Sequence, residues 1–219
     1  MTTSGTYTWA PEISEFVEHA FSRAGVNPAA LTGWHAKEAR MGLNLMFSEW
    51  ATQGVMPFVV EQMANIPFVV AQPSYTVPVG TLAILGPIFI RSSLATPIFF
   101  ISRDDYERIP NKTYQGISTN MFFDRPSLTA WMWPIGQYNT DAIGYWRLRR
   151  IQDVTAGAET ADVPYQGFEA LVSGLAAKMA LIFNPSKFAL LDGLATRAFK
   201  NFKDFERERA PTNFEIAKI

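Results

Sequence analysis

The sequence predicts an α+β protein: an antiparallel four-helix bundle formed from both chain ends, a central antiparallel β insertion, and an extended C-terminal tail. Three observations carry that reading. Apolar residues recur at helical spacing in residues 8–54 and again in 162–208. Between them, residues 55–153 hold short β-branched and aromatic runs separated by Pro, Gly, Ser and Asn. Residues 209–219 follow a charged helix end and are broken from it by Ala210-Pro211.

The first helix opens at Pro11, a tolerated first helical position, places Ile13, Phe16, Val17 and Phe21 on one stripe, and stops at Gly25. Asn27 and Pro28 start a short turn. Thr32 is the N-cap of a second helix, in which Ala39, Leu43, Met46 and Trp50 share a face and Gly54 ends the run. Six strand-like runs follow, from "PFVVAQ" to "IGYWRLRRIQ", with "SRDDYERIP" as one helical turn inserted between strands. Prolines at the ends of several runs favour edges over central ladders. Residues 153–163 read as a linker or hairpin return. Helicity then resumes at Pro164, with a stripe of Phe168, Leu171, Leu175, Met179 and Ile182. It restarts after Asn184-Pro185 with Phe188, Leu191, Ala195, Ala198, Phe202 and Phe205. Short connections make sequential helices antiparallel neighbours, which is why both chain ends are expected to close into one bundle.

Composition narrows the function classes. A chain of 219 residues buries about 70% of its unfolded surface. The net charge of −1 gives no basic footprint for gripping nucleic acid phosphates. The absence of cysteine removes disulfides, thiolate nucleophiles and cysteine metal sites. The first residues lack the pattern of a signal peptide, and the most apolar window, "VPVGTLAILGPIFI", is interrupted by prolines and reads as buried strand. The expectation is a soluble product made in a reducing cytoplasm. The 17 Phe and 6 Trp supply enough ring area for subunit interfaces as well as a core.

No catalytic, cofactor or metal residues are assigned. His19 and His35 lack metal-ligand spacing, and no nucleophile elbow or phosphate loop occurs. Asp104, Asp105 and Glu107 leave open a polysaccharide hydrolase with paired carboxylates, although acids at the start of a helical turn ordinarily complement its positive end. Trp131, Trp133 and Trp146 leave open a β-rich sugar- or DNA-binding module. In "WRLRR", Arg147 and Arg149 alternate with Trp146, Leu148 and Arg150, and a solvated or inter-subunit face is the plainer reading of that strand.

The order of motifs carries a resemblance. "DYERIPNKTYQGISTNMFFDR…LTAWMWPIGQ", then "YWRLRRIQDV" and "DVPYQGFEALVSGLAAKMALIF", resembles the head-to-tail adaptors of short-tailed bacteriophages, also called tail tubular protein A, gatekeeper or head-completion proteins. The matching positions are Tyr106, Gly116, Thr119, Asp124, Arg125, Trp133, Pro134, Asp162 and Pro164. Upstream, Leu43-Asn44 and Glu49-Trp50 match the family's second helix, so the likeness spans roughly residues 10–200. The chain departs from the pattern at "MPFVVEQMANIPFVVAQ", which is more apolar, and at "MWPIGQ", which replaces a Trp-Pro-x-Pro.

The resemblance implies a non-enzymatic virion protein of the neck, made in the host cytoplasm. It would form a self-assembled ring of twelve copies joining the portal protein to the tail nozzle. Double-stranded DNA would pass through its lumen without sequence-specific binding, during genome retention and ejection, with no cofactor and no membrane. It implies a portal-docking tail at Arg207, Arg209, Phe214, Ile216 and Ile219. It also implies a ring or tail interface in the β region at Tyr106, Phe122, Arg125, Trp131, Trp133 and Trp146.

Overall fold

A computed structural model describes residues 5–54, 57–92 and 94–207. The chain forms two compact units, one drawn from residues up to Phe58 and from Ile151 onward, the other Val59–Arg150.

The first unit holds α1 (Ile13–Ala24), α2 (Gly33–Thr52), α4 (Phe168–Phe183) and α5 (Phe188–Phe205), with α3 (Arg103–Glu107) lying in the second unit. The α+β composition stands, but the antiparallel four-helix bundle expected from both ends does not form. Instead α4 is a hub: it packs against α1, α2 and α5, and contacts among those three are sparse. The reason is in its sequence. A helix apolar on all sides has to be surrounded, whereas a bundle helix needs one apolar face. Nine of its sixteen residues are buried, including Leu171, Leu175, Ala176 and Met179. The span Tyr165–Phe183 is the one helix among the described residues long and apolar enough to cross a membrane, and its burial among helices accounts for that composition.

Local contacts fix each helix. Gly25 closes α1 at φ 83°, with the amides of Gly25 and Val26 returning to the Ser22 and Phe21 carbonyls, the paired bonds of a left-handed cap. Asn184 Nδ2 donates to the Ala24 carbonyl at 2.9 Å, so the α4–α5 turn caps α1 as well. Where α2 crosses α4, a Cβ on Gly174 would sit 2.4 Å from Met46 Sδ and one on Gly42 3.1 Å from Met179 Cε; glycine is what permits this approach. Arg23 of α1 forms a bidentate pair with Glu169 of α4 (2.6 and 2.9 Å) and reaches the buried Ser173 hydroxyl. The stripes fail at their ends: Ile182 and Phe205 are exposed.

Residues 153–163 are not a loose linker. Asn44 holds Val154 by two backbone bonds (2.9 and 3.1 Å), and Arg40 donates to the Thr155 carbonyl. The Glu159 carboxylate accepts from the Thr155 and Ala156 amides, and those bonds, led by the Thr155 hydroxyl, hold it below the ordinary carboxylate range. The carbonyls of Gly157 and Glu159 then receive the Ser14 and Ile13 amides, two donors that the first turn of α1 cannot satisfy itself.

The second unit has two main sheets. One runs β1 (Val60–Gln62), β11 (Ala142–Arg149), β4 (Thr81–Arg91), β5 (Leu94–Pro97), with β2 (Ile66–Pro67) also on β11. The other runs β3 (Ser74–Thr76), β9 (Thr129–Trp133), β8 (Asn120–Asp124), β6 (Phe99–Phe100). Residues of both, among them Phe89, Met121, Met132 and Ile143, form one core.

The insertion is not wholly antiparallel. β6 pairs parallel with β8, and β7 (Gln115–Gly116) pairs parallel with β10 (Ile135–Gly136). The chain leaves β6, makes α3, and returns in the same direction, which is what a crossover of that length produces. Pro87 lies inside β4 rather than at an edge. The register skips there, from Gly144↔Ile88 to Trp146↔Leu85, and a bulge is where a strand tolerates a missing donor.

A buried ion pair closes this unit. Asp141, with no side-chain exposure, accepts two bonds from Arg91 at 2.9 and 2.8 Å, and the guanidinium lies 4.7 Å from the Tyr138 ring centre. Arg91→Leu would strand a buried carboxylate and is expected to cost about 3–5 kcal/mol in urea unfolding. Asp141→Leu leaves a cation that already touches water and should cost roughly half as much. Equal losses would contradict this picture.

Arg23 also sets an acid response, since its hydrogen bonds, more than Ser173, hold the Glu169 carboxyl low. A depressed folded value gives stability that is complete above the unfolded value and lost as pH falls through the folded one. Between about pH 5 and pH 3, the wild-type urea midpoint should therefore fall more steeply than that of Glu169→Gln.

Candidate interaction surfaces

The stretch 104–134 resolves into one packed layer. On β8 and β9, Met121, Ala130 and Met132 point into the core, so alternation sends Phe122, Trp131 and Trp133 to the opposite face. Phe122 and Trp131 are direct cross-strand partners. Helix α3 lies over them: the Tyr106 ring is 6.1 Å from Phe122 and 5.8 Å from Trp131, and Tyr106 is only 5% exposed. Burial raises its hydroxyl pKa, with Glu107 adding to the effect.

Trp133 sits beside Tyr114 (6.4 Å) and donates its indole N–H to the Asn111 carbonyl at 3.0 Å. Its peptide to Pro134 is cis. Arg103 stands over Phe122 and pairs with Asp124 at 2.5 Å. Much of the aromatic content of this stretch is therefore spent on seating α3 against the sheet.

Of the six β-region residues singled out from the sequence, Tyr106, Phe122 and Trp131 form one cluster, and Trp133 adjoins through Tyr114. Arg125 is exposed at the β8–β9 turn, apart from them. Trp146 lies on β11 of the other sheet and is 45% exposed. Of the tail residues, Arg207 is exposed at the end of the described chain, while Arg209, Phe214, Ile216 and Ile219 lie outside the described residues.

Several of the charged groups singled out from the sequence are committed internally. The Ser102 hydroxyl donates to Asp105 at 2.7 Å and accepts from its amide, and this contact, more than Arg108, holds the Asp105 carboxyl below its ordinary value. A carboxyl held low is a poor proton donor at neutral pH. Glu107 pairs with Lys112 at 2.6 Å. Arg147 and Arg149 converge on Glu61, which faces Arg147 across the β1–β11 ladder. His19 accepts from Arg23, and His35 accepts the Thr32 amide at 3.1 Å and stacks on Phe183. Among the described residues no group of His, Asp or Glu is placed to hold a metal.

What stands out instead is uncovered apolar surface. On α2, Trp34, Met41 and Leu45 form a second stripe, each more than half exposed, on the side away from Ala39, Leu43, Met46 and Trp50. Leu181, Leu190, Leu194 and Phe205 are exposed on α4 and α5. In the β unit, Leu94, Phe99 and Phe100 are exposed along the outer strands β5 and β6. Successive strand residues point to opposite faces, so exposure of both Phe99 and Phe100 leaves β6 bare on both sides. Apart from Phe205, which the sequence places on the α5 stripe, sequence reasoning does not single out these residues. The signal for α2 is present, in apolar residues seven and four apart off the core stripe, whereas β6 reads only as one strand-like run among six. No protein-family model matches the chain, and no curated protein is significantly similar to it.

Glu61 is the counter-charge for two largely buried arginines, with side chains 14% and 16% exposed. Glu61→Gln should destabilise by about 1–3 kcal/mol in urea unfolding. A neutral result would mean that the two arginines do not depend on Glu61 for their charge balance.

Proposed function

We propose that this chain is a structural virion component, a head-to-tail adaptor of a short-tailed phage. In this reading it forms a ring, of twelve copies by resemblance, that joins the portal to the tail nozzle and continues the DNA channel. It sits in the neck of the virion after synthesis in the host cytoplasm, and it carries out no chemistry of its own. The observation that carries the reading is the uncovered apolar surface on helices and strand edges of both units. Isolated soluble proteins rarely leave such stripes open, and larger exposed patches mark surfaces that partners cover. The order of motifs over residues 10–200 supports the choice of family.

Other features fit the same reading. Arg147 and Arg149 share Glu61 as a counter-charge that offsets one of their two positive charges, which suits a wall that DNA passes without being tightly held. Asp105 and Glu107 are engaged in a helix cap and an ion pair, which leaves a hydrolase without a free acid–base couple in that turn.

Electron microscopy of the protein mixed with its portal is the test. A ring stacked coaxially on the portal is expected, and a chain lacking residues 210–219 should lose that association. Portal particles with no added density, or a truncated chain that binds as well as the full one, would remove the reading or its tail assignment respectively.

A further inference from the structure

The helical unit leaves a groove of about 520 Å³ open between α2, α4 and α5. Its lining includes the small residues Ala177 and Ala195 beside Leu181, Phe188 and Phe199, with Lys200 also on its border. Small residues beside accessible apolar ones make room for a bulky apolar side chain. The helix bordering this groove is under-covered: of the eighteen residues of α5, only Leu191 and Phe202 are buried.

We propose that this groove is the docking site of the chain's own C-terminal segment, residues 208–219, folded back along α5 in cis. The sequence allows the reversal, because Pro211 disfavours helical backbone at Ala210 and so stops α5 from continuing. The reach is sufficient. Thr196, on the groove, is about 17 Å back along α5 from Arg207 at the helical rise per residue. Phe214 lies up to roughly 24 Å from Arg207 in extended chain. The chemistry matches as well. In extended backbone Phe214 and Ile216 project to one side, toward the aromatic walls, while Glu215 between them projects to the other, where Lys200 borders the groove. Tethering supplies an effective concentration in the millimolar range, so a modest apolar anchor suffices. This docking concerns the chain on its own, whose tail has to leave the groove to engage a portal, and its test does not depend on the adaptor reading. It is measured on the chain alone, whereas that reading is measured on a mixture with portal, so the two fail separately.

The absence of cysteine allows a clean test in the full-length chain. The pair Thr196→Cys with Ala217→Cys should form an intramolecular disulfide on mild oxidation in dilute solution, because Ala217 shares the Glu215 side of the tail and Thr196 lies one helical turn further back than Lys200. The comparison pair is Asn201→Cys with Ala217→Cys. Position 201 is exposed, lies outside the groove, and is nearer the point where the chain leaves α5. A tail without a docking site would therefore favour the comparison pair. The groove pair is expected to close at least about tenfold faster, and adding Phe214→Ser should abolish the advantage. Equal or reversed rates would overturn the proposal, as would an advantage that survives Phe214→Ser. A product that is mainly disulfide-linked dimer would assign the groove to a second copy's tail instead and overturn docking in cis.

Discussion

The first unit depends on the need of α4 to be surrounded. Its apolar residues run round the whole helix, so no single partner can cover it, and α1, α2 and α5 each take one side. Around this constraint the specific contacts fall into place. Gly42 and Gly174 let α2 come close, Arg23 bonds to Glu169 and Ser173, and Asn184 turns the end of α4 into a cap for α1. A bundle of four equivalent amphipathic helices would have needed none of these asymmetries.

The β unit solves a different problem. Its two sheets bury one face each in a common core, and the second sheet still has a bulky aromatic row on its outer face. Helix α3 covers that row with Tyr106. Ser102 caps the short helix, and Lys112 is bonded to Glu107 and stands over the Tyr106 ring. Asp105 and Glu107, two of the three acids that invited a catalytic reading, are thus part of what keeps this small helix in place. The edges formed by Leu94, Phe99 and Phe100 have no such cover among the described residues.

Much of the fold was legible in the sequence because the local signals were strong. Gly25, Thr32 and Asn184-Pro185 mark real helix boundaries, α1 starts two residues after the expected Pro11 with Glu12 as its cap, and the stripe of Ala39, Leu43, Met46 and Trp50 is buried throughout. What failed was long-range. Helical periodicity says which face is buried but not against how many partners, so the hub arrangement of α4 was read as a bundle. The parallel pairing of β6 with β8 depends on the crossover through α3, and no residue of either strand announces it. The segment 153–163 has the composition of a linker. Its order comes from Asn44, which is more than a hundred residues away in sequence. At the candidate surfaces, type is readable and accessibility is not: Tyr106 and Trp131 stand out for their rings but are largely packed, while Phe99 and Phe100, part of an undifferentiated strand-like run, lie bare.

The position of α4 in the chain sets an order of events during translation. Helices α1 and α2 leave the ribosome first, yet the helix they bury against is encoded after the whole β unit. At ordinary elongation rates of about 5–20 residues per second, they wait on the order of ten seconds with their apolar faces open. For that interval the nascent α1–α2 segment is a natural client for chaperones that bind exposed hydrophobic helices, and the helical unit can be completed only after the β unit has been made.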